Sequence, residues 1–352
     1  MPVNDLYLHP IRLEASLHET IWGGRRLEQN GWKCLPAHKA IGESWETELN
    51  TIAQNEPYAG MTLKALVEEL GTDLLGEQCV AMVGKRFPLL AKFIDANDKL
   101  SVQVHPDDEY AARFEQGKLG KTEFWYVLDA EPGATVVHGF KARTSRDEVQ
   151  QAIESVRLEE LLHHETVAAG DVIFVPAGTV HAIGAGVLLY EVQEYSDITY
   201  RMYDYGRKDA AGKTRELHIE QALNVSRYEQ SPSVKVQPAI MAGGTGYTER
   251  CLVACPYFVT RELIFQHDTP HGYMKDKTRG SCIILSSLGA QGAIRYGKNF
   301  EYGEVFSPGQ TIVVPAGLGE FCIEGPGRLL LSYVPEAQDE AWRLWRDRNT
   351  ES

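Results

Sequence analysis

The sequence predicts a mainly β protein built from two related barrels with a few peripheral helices. Short runs of β-branched and aromatic residues, separated by Gly and Pro, fill the middle and the C-terminal third of the 352-residue chain. Many short strands at close spacing are typical of sandwiches and barrels rather than of parallel α/β sheets. In addition, one strand-and-turn motif occurs twice, which indicates two copies of one structural unit.

Seven segments have the composition of strands. Each is short, is rich in β-branched or aromatic residues, and is bounded by turn residues or charges. They are residues 124–128, 135–138, 172–175, 187–192, 282–286, 311–314 and 328–334.

Helical patterning is confined to four segments. The clearest one begins with a capping box, in which Ser145 is followed three residues later by Glu148 and then by apolar residues at helical spacing. The four predicted helices are residues 62–70, 145–156, 216–228 and 337–347. They are too few for an α/β fold and fit the periphery of a β architecture.

The repeated motif is Gly-x5-Pro-x-Gly with a polar residue three positions after the last glycine. It runs from Gly170 to His181 and again from Gly309 to Glu320. A glycine turn, a buried strand and a Pro-x-Gly corner would aim the next side chain back into a barrel. We therefore predict a catalytic domain over residues 1–230 and a degenerate barrel with a terminal helix over residues 231–352. The polar segment 206–232 is the candidate connection.

Charge and composition restrict the possible partners. The chain has 35 Lys+Arg and 49 Asp+Glu, so its formal net charge is 35 − 49 = −14. This balance argues against a nucleic-acid or membrane partner, because phosphate-backbone binding depends on clustered Lys and Arg. No apolar run approaches the roughly 18 residues of a membrane helix, and no basic segment followed by an apolar one opens the chain. The six cysteines form no CxxC pair and are expected to be buried, reduced thiols in a cytoplasmic protein.

Four polar residues form a candidate metal centre. Gln103 and His105 are two positions apart and would share one strand face. Glu123 opens an apolar strand, and His181 ends the first copy of the repeat. An amide oxygen, two imidazoles and a carboxylate can enclose a divalent cation and still leave positions for substrate oxygens. Each residue alone is usually an ordinary polar group, but four at these offsets favour a metal site.

These residues lie in longer motifs that resemble a known family. The motifs are Ser101-Val-Gln103-Val-His105-Pro, Gly120-Lys-Thr-Glu123-Phe-Trp, Pro176-Ala-Gly-Thr-Val-His181, and Asp197-Ile-Thr-Tyr-Arg201. The chain resembles the type I mannose-6-phosphate isomerases (phosphomannose isomerases) of the cupin superfamily over roughly residues 7 to 336. Weaker likeness extends to Ile21-Trp22-Gly-Gly and to Gly42-Glu-Ser-Trp-Glu.

The resemblance implies both a fold and an activity. The fold would be two cupin-type barrels (jelly roll, double-stranded β-helix), and the activity would be zinc-dependent interconversion of mannose 6-phosphate and fructose 6-phosphate. One Zn²⁺ per chain would be bound by Gln103, His105, Glu123 and His181. The substrate would be a small sugar phosphate, and the chain would act as a monomer or a small homo-oligomer.

The implied reaction moves a proton between C1 and C2 through an enediolate. It needs a metal to polarise oxygens, a base to carry the proton, and a cation near the developing charge. Arg201 matches the family's active-site arginine and is assigned this cationic role. Lys121 and Lys92 are candidate proton carriers, with Asp197 and Glu191 as carboxylate partners.

Substrate contacts are predicted from strand parity and from the motifs. Ser101 and Lys99 share parity with Gln103 and are candidate phosphate contacts, and Trp22 is a candidate wall of the sugar site. Arg207 and Lys208 follow in a polar stretch. For Lys99, Arg207 and Lys208, a solvated surface charge is an equally good interpretation.

Two other functions are compatible with parts of this pattern. An iron-dependent cupin dioxygenase would favour a site of two histidines and one carboxylate that is open to oxygen, whereas Gln103 and the Lys-Thr-Glu element speak against it. A non-catalytic sugar-binding cupin would have lost ligands in both barrels. Here the second copy alone has Glu320 in the histidine position.

Overall fold

The computed structural model describes residues 8–208, 212–231, 234–244, 246–265, 273–278, 280–289 and 291–349. The strands, in chain order, are β1 (Ile11–Glu14), β2 (Ser16–Gly24), β3 (Ile41–Trp45), β4 (Ile52–Ala53), β5 (Leu89–Ala96), β6 (Val102–Val104), β7 (Glu123–Ala130), β8 (Thr135–Phe140), β9 (Leu162–Thr166), β10 (Val172–Val175), β11 (His181–Ile183), β12 (Val187–Glu194), β13 (Tyr200–Tyr203), β14 (Ala239–Gly244), β15 (Tyr247–Ala254), β16 (Val259–Phe265), β17 (Tyr273–Lys277), β18 (Ile283–Ser287), β19 (Gly292–Tyr296), β20 (Tyr302–Phe306), β21 (Thr311–Val314), β22 (Glu320–Glu324) and β23 (Gly327–Tyr333).

The helices are short and lie outside the sheets. They are α1 (Arg26–Gln29), α2 (Leu63–Leu70), α3 (Thr72–Leu75), α4 (Glu77–Val83), α5 (Asp108–Phe114), α6 (Arg146–Glu154), α7 (Ile219–Val225) and α8 (Glu340–Asn349), with 3₁₀ turns at Leu158–Glu160 and Ala316–Leu318. No helix in the described ranges has the length and apolarity needed to cross a bilayer.

The described strands form two sandwiches, each made of two sheets. In the first sandwich, a sheet of order β10-β7-β12-β5-β2-β3 faces a sheet of order β13-β6-β11-β8-β9. Apolar side chains such as Trp125, Ile173 and Ile183 fill the space between them. In the second, a sheet of order β14-β15-β16-β23-β18-β21-β1-β4 faces one of order β17-β22-β19-β20. The mainly β prediction is confirmed, although each described unit is a two-layered sandwich and not a closed barrel.

The two sandwiches pack through the outer faces of their larger sheets. Because side chains alternate along a strand, β12 directs Glu191 inward and Tyr190 outward. Tyr190 contributes to an apolar core with Phe93 on one side and with Ile284 and Leu330 on the other. Its hydroxyl lies 2.9 Å from the Ser286 hydroxyl. The second sandwich therefore supports the back of the sheet that carries Glu191.

The chain does not distribute its strands between the sandwiches in simple order. Strand β1 pairs with β21, with Ile11 opposite Val313, so an N-terminal strand belongs to the second sandwich. The division at residue 230 remains a proposal about which segments fold together.

All seven predicted strands lie within or largely overlap observed ones: β7, β8, β10, β12, β18, β21 and β23. The capping box of α6 is present, with both of its hydrogen bonds. The predicted helix 216–228 is shorter than expected. Its first part is extended instead, because the backbone N–H of His218 donates to the Arg201 carbonyl at 2.8 Å.

The structure gives the sequence repeat a physical form. Gly170 and Gly309 both have positive φ, at 96° and 75°, which favours glycine. Each is followed by a buried strand and a corner, but the first corner leads to buried His181 and the second to exposed Glu320. The six cysteines are free thiols, and five are buried as expected. Cys34 is exposed, because it lies in a loop after α1.

Candidate active site

Three neighbouring strands present polar side chains on one face of the five-stranded sheet. Gln103 on β6 lies directly opposite His181 on β11 and opposite Arg201 on β13. Residues directly opposite each other on antiparallel strands project to the same side. The sheet therefore places two candidate metal ligands, Gln103 and His181, beside the guanidinium group of Arg201.

Three buried residues form a compact donor cluster. The ligand atoms of His105, Glu123 and His181 all lie within 4.8 Å of one another. Nε2 of His105 is 3.4 Å from Glu123 Oε2, and Nε2 of His181 is 3.4 Å from Glu123 Oε1. Each imidazole directs Nδ1 at a backbone carbonyl, that of Ile198 or Thr179, at 2.8 Å. Since a carbonyl only accepts, Nδ1–H donates there, and the Nε2 lone pair faces the cluster.

The surroundings of the Glu123 carboxylate show whether the cluster could hold a cation. Both of its carboxylate oxygens are buried, and Oε1 accepts no hydrogen bond, which is unusual and costly for such a group. The Lys121 ammonium lies 2.8 Å from Oε2 as an ion pair. The Gln103 amide nitrogen is 3.4 Å from His181 Nε2, and a half-turn of the amide exchanges its nitrogen and oxygen. The four predicted ligands are thus brought together.

The electrostatic setting favours the ligand protonation states. Burial lowers the pKa of His105 to about 3 and that of His181 to about 4. Burial alone would raise the pKa of Glu123, but Lys121 and the two imidazoles lower it well below its ordinary value. Neutral imidazoles and an ionised carboxylate are the forms that bind a divalent metal.

The donor cluster borders a cavity of about 560 Å³ through His181, with Gln103 and Lys121 beside it. Its wall combines ionic, aromatic and small polar side chains. These include Glu43, Lys92, Lys121, Glu191, Trp22, Trp45, Trp125, Ser101, Arg201, Arg215 and His218. A small polar molecule with several hydroxyl groups and a charge fits such a wall, since polar and charged side chains make up most of it.

A buried lysine and its two carboxylates line this cavity. Lys92 pairs with Glu191 across β5 and β12, and its Nζ is 3.1 Å from Glu191 Oε1 and 3.6 Å from Glu43 Oε2. Trp125 Nε1 donates to Glu191 Oε2 at 3.0 Å. Burial would lower the pKa of Lys92, but Glu191 and Glu43 raise it above its ordinary value. Burial and the charge of Glu123 raise the pKa of Glu191. A carboxyl group in this setting is suited to exchanging a proton.

The predicted arginine and serine are in contact with each other. Arg201 Nε donates to the Ser101 hydroxyl at 3.2 Å, and its Nη1 donates to the Glu216 carbonyl at 3.0 Å. Ser101 is buried, and both side chains line the cavity. Trp22 is also buried in the wall, as expected for a sugar-facing aromatic residue.

Two predicted residues occupy less central positions. Asp197 lies at the rim, largely exposed, with one carboxylate oxygen 2.7 Å from Lys118 Nζ. Lys99 lies in the loop before β6, and the structure does not bring it to the cavity. Its ammonium is 3.5 Å from the centre of the Tyr205 ring and 3.6 Å from Glu159. Its role in phosphate binding therefore has no structural support.

Several cavity residues were missed from sequence. Glu43 and Trp45 stand two apart in the Gly42-Glu-Ser-Trp-Glu motif, and strand parity would have placed them on one face. Arg215 and His218 come from the polar connection after β13. No motif distinguishes them there, because their placement depends on contacts with β13 and with Asp204.

The fold and the site together define a cupin-type protein with a buried candidate metal centre in its first sandwich. Residues 11–135 match the family model "Phosphomannose isomerase type I, catalytic domain". The chain is 37% identical over 336 residues to "Mannose-6-phosphate isomerase ManA" of Bacillus subtilis (strain 168), covering 92% of this chain and 99% of that protein. It is 35% identical over 331 residues to "Mannose-6-phosphate isomerase" of Streptococcus mutans serotype c (strain ATCC 700610 / UA159), covering 93% and 99%.

Structural comparison agrees with these matches. The crystal structure of the mannose 6-phosphate isomerase from Bacillus subtilis superposes with a TM-score of 0.81 at 33% identity, covering 92% of this chain and 99% of that one. The chain therefore belongs to the type I phosphomannose isomerase family. The resemblance read from the sequence motifs is confirmed, as is the prediction of an enzyme of this isomerase class.

Proposed function

We propose that this chain interconverts mannose 6-phosphate and fructose 6-phosphate through an enediolate, with one zinc ion at Gln103, His105, Glu123 and His181. The observation that carries the proposal is the buried His105–Glu123–His181 cluster, whose His181 lines a cavity that also holds lysine and arginine side chains. Membership of the family supports the choice of substrate.

The donor set supports the metal. Two imidazole nitrogens and a carboxylate oxygen are ligands that zinc prefers, and Gln103 adds an amide oxygen. Glu123 Oε1, buried without a hydrogen bond, supports a metal cation as its partner. When bound, a divalent ion would polarise substrate oxygens and stabilise the negative charge that develops during enolisation.

The residues of the chain would then handle the proton. Isomerisation removes a proton from C2 of the aldose and returns one to C1, so a single group near both carbons can serve both steps. Glu191, with its raised pKa and its contact with Lys92, and Lys121, between His105 and Glu123, face the cavity for this task. Asp197, at the rim, is assigned a supporting part in the same proton exchange.

Arg201 and two neighbours would orient the substrate. The Arg201 guanidinium stabilises the enediolate charge, because a fixed cation in a partly buried site acts in a low dielectric. Ser101 holds that guanidinium at 3.2 Å and offers its hydroxyl to the substrate. Trp22 provides an apolar surface for the sugar ring.

A coupled assay with metal removal tests the proposal. We expect the enzyme to convert mannose 6-phosphate without oxygen, to lose this activity after chelation, and to recover it with added zinc. The activity must fall in parallel with bound metal. Recovery with ferrous iron alone, accompanied by oxygen uptake, would overturn the isomerase assignment in favour of a dioxygenase.

A further inference from the structure

The cavity wall carries two guanidinium groups, those of Arg201 and Arg215. Arg201 is half-buried and donates to two neutral oxygens, the Ser101 hydroxyl and the Glu216 carbonyl. No carboxylate in the described ranges lies within ion-pair distance of it. A cation that is partly removed from water and has no counter-ion is unfavourable unless a ligand supplies the charge.

Arg215 is held rigidly beside it. Its Nε lies 2.8 Å from Asp204 Oδ2 and its Nη2 lies 2.5 Å from Asp204 Oδ1, a bidentate pair that fixes the plane of the guanidinium. Asp204 also accepts from Arg207 Nη2 at 2.5 Å. One buried carboxylate therefore fixes two guanidinium groups, and the Nη1 donors of Arg215 are directed away from Asp204.

The cations of this part of the cavity are unevenly paired. Arg207 and Arg215 both contact Asp204, and Asp98 lies 3.7 Å from Arg207 Nη1, whereas Asp204 and Glu216 act on Arg201 only from beyond contact distance. Burial and the charge of Arg215 both lower the pKa of Arg201. The arrangement is thus electrostatically incomplete, in a chain whose formal net charge is −14. An anionic group beside Arg201 would complete it.

We propose that Arg215 is a substrate-binding residue that binds the phosphate group of the sugar next to Arg201, whose guanidinium is assigned to the reacting carbons, and that Asp204 is the positioning residue that presents Arg215. The inference rests on the proposed function and adds to it a phosphate contact from the polar connection after β13. Guanidinium groups match phosphate oxygens because their planar N–H donors form two parallel, charge-assisted hydrogen bonds.

The test replaces Arg215 and compares it with an arginine in a similar ion pair elsewhere. Arg146 contacts both carboxylate oxygens of Glu220 at 2.7 and 2.8 Å on the surface, so Arg146→Ala is the matched control. For Arg215→Ala, we expect KM for mannose 6-phosphate to rise about 10- to 100-fold, the range of one charged hydrogen bond. We expect kcat and metal content to stay near those of the wild type, and Arg146→Ala to change none of these values.

Inorganic phosphate provides a readout that does not depend on turnover. Calorimetry should show phosphate binding to the wild type and at least about tenfold weaker binding to Arg215→Ala, with Arg215→Lys intermediate. Asp204→Asn should also raise KM, by less than Arg215→Ala does, and should leave kcat unchanged. If Asp204 had a purely structural role, its replacement would lower the melting temperature without raising KM selectively. If Arg215→Ala fails to fold, KM and phosphate affinity are measured for Arg215→Gln and Arg215→Lys instead.

The outcomes separate the two proposals. An isomerase whose KM and phosphate affinity are unchanged in Arg215→Ala, or in its folded substitutes, overturns the phosphate assignment alone. A wild type that binds phosphate through Arg215 but isomerises no sugar phosphate overturns the proposed function instead.

Discussion

The two sandwiches share an architecture and a repeated corner, but they treat buried charge differently. In the first, Glu123 pairs with Lys121 but keeps one buried oxygen without a hydrogen bond, and the Lys92–Glu191 pair lines an open cavity. In the second, the buried cation Arg261 contacts Asp276 and lies 2.5 Å from Glu249. Val259, Leu263 and Phe265, on the same strand face as Arg261, belong to the apolar core there.

The difference indicates what each sandwich is for. Charges that are paired inside a protein are internally compensated and need no ligand, whereas incomplete ones persist where a ligand completes them. The second sandwich thus carries its own counter-ions, and its larger sheet supports the outer face of the catalytic one. We propose that it is structural and that chemistry is confined to the first.

The largest expected effect concerns equivalent positions of the repeat, where His181 and Glu320 are each replaced by alanine. We expect His181→Ala to lose bound metal and to reduce kcat/KM about 1,000-fold or more, because metal stabilisation of the transition state amounts to several kcal/mol. Glu320→Ala, at the matching corner of the second sandwich, should leave both unchanged. Metal analysis and the coupled assay measure the pair. Equal losses in both variants would contradict the division of labour.

A second prediction concerns the compensated charges. Arg261→Met would leave Glu249 and Asp276 buried without their cation, and removing one partner of a buried ion network costs about 3–5 kcal/mol of unfolding free energy. The control Arg295→Met removes the cation of an exposed pair on β19, which lies 2.9 Å from Glu324, and should cost about 1 kcal/mol or less.

Chemical denaturation measures both variants, and the residual folded Arg261→Met protein should keep its kcat/KM and metal content. Loss of metal from folded Arg261→Met protein would show that the second sandwich takes part in the site.

Sequence reasoning identified residues whose position is fixed by a strand, and it failed for residues whose position depends on distant contacts. The candidate ligands could be proposed from sequence, because Gln103, Glu123 and His181 stand on strands and His105 directly follows one, where parity fixes direction. Arg215 and Glu43 were not predicted. The position of Arg215 depends on Asp204, a carboxylate eleven residues away, and the position of Glu43 depends on the pairing between β3 and β5. Lys99 stays a prediction for which parity is a weak guide, because Lys99 precedes the strand and its ammonium lies over the Tyr205 ring.

The smallest expected effect is a pH dependence of stability that arises in the first sandwich. Glu194 is buried at the end of β12 and accepts the Thr122 N–H at 2.7 Å. Burial and then the charge of Asp108 raise its pKa to about 8, from an ordinary value of 4.5. The folded state therefore holds a proton that the unfolded state releases, so this contribution is complete below pH 4.5 and is lost as pH rises to 8.

We expect this group to contribute a fall in unfolding free energy of about 1 kcal/mol per pH unit between pH 5 and pH 8, measured as the difference between the wild type and Glu194→Gln. Glu194→Gln, which resembles the protonated acid, should remove that slope and be the more stable form at pH 8. The comparison with Arg261→Met is then direct. Replacing a compensated charge destabilises at every pH, whereas neutralising an uncompensated carboxylate stabilises at high pH. Parallel pH profiles for wild type and Glu194→Gln would contradict the assignment, because the slope would then arise elsewhere in the chain.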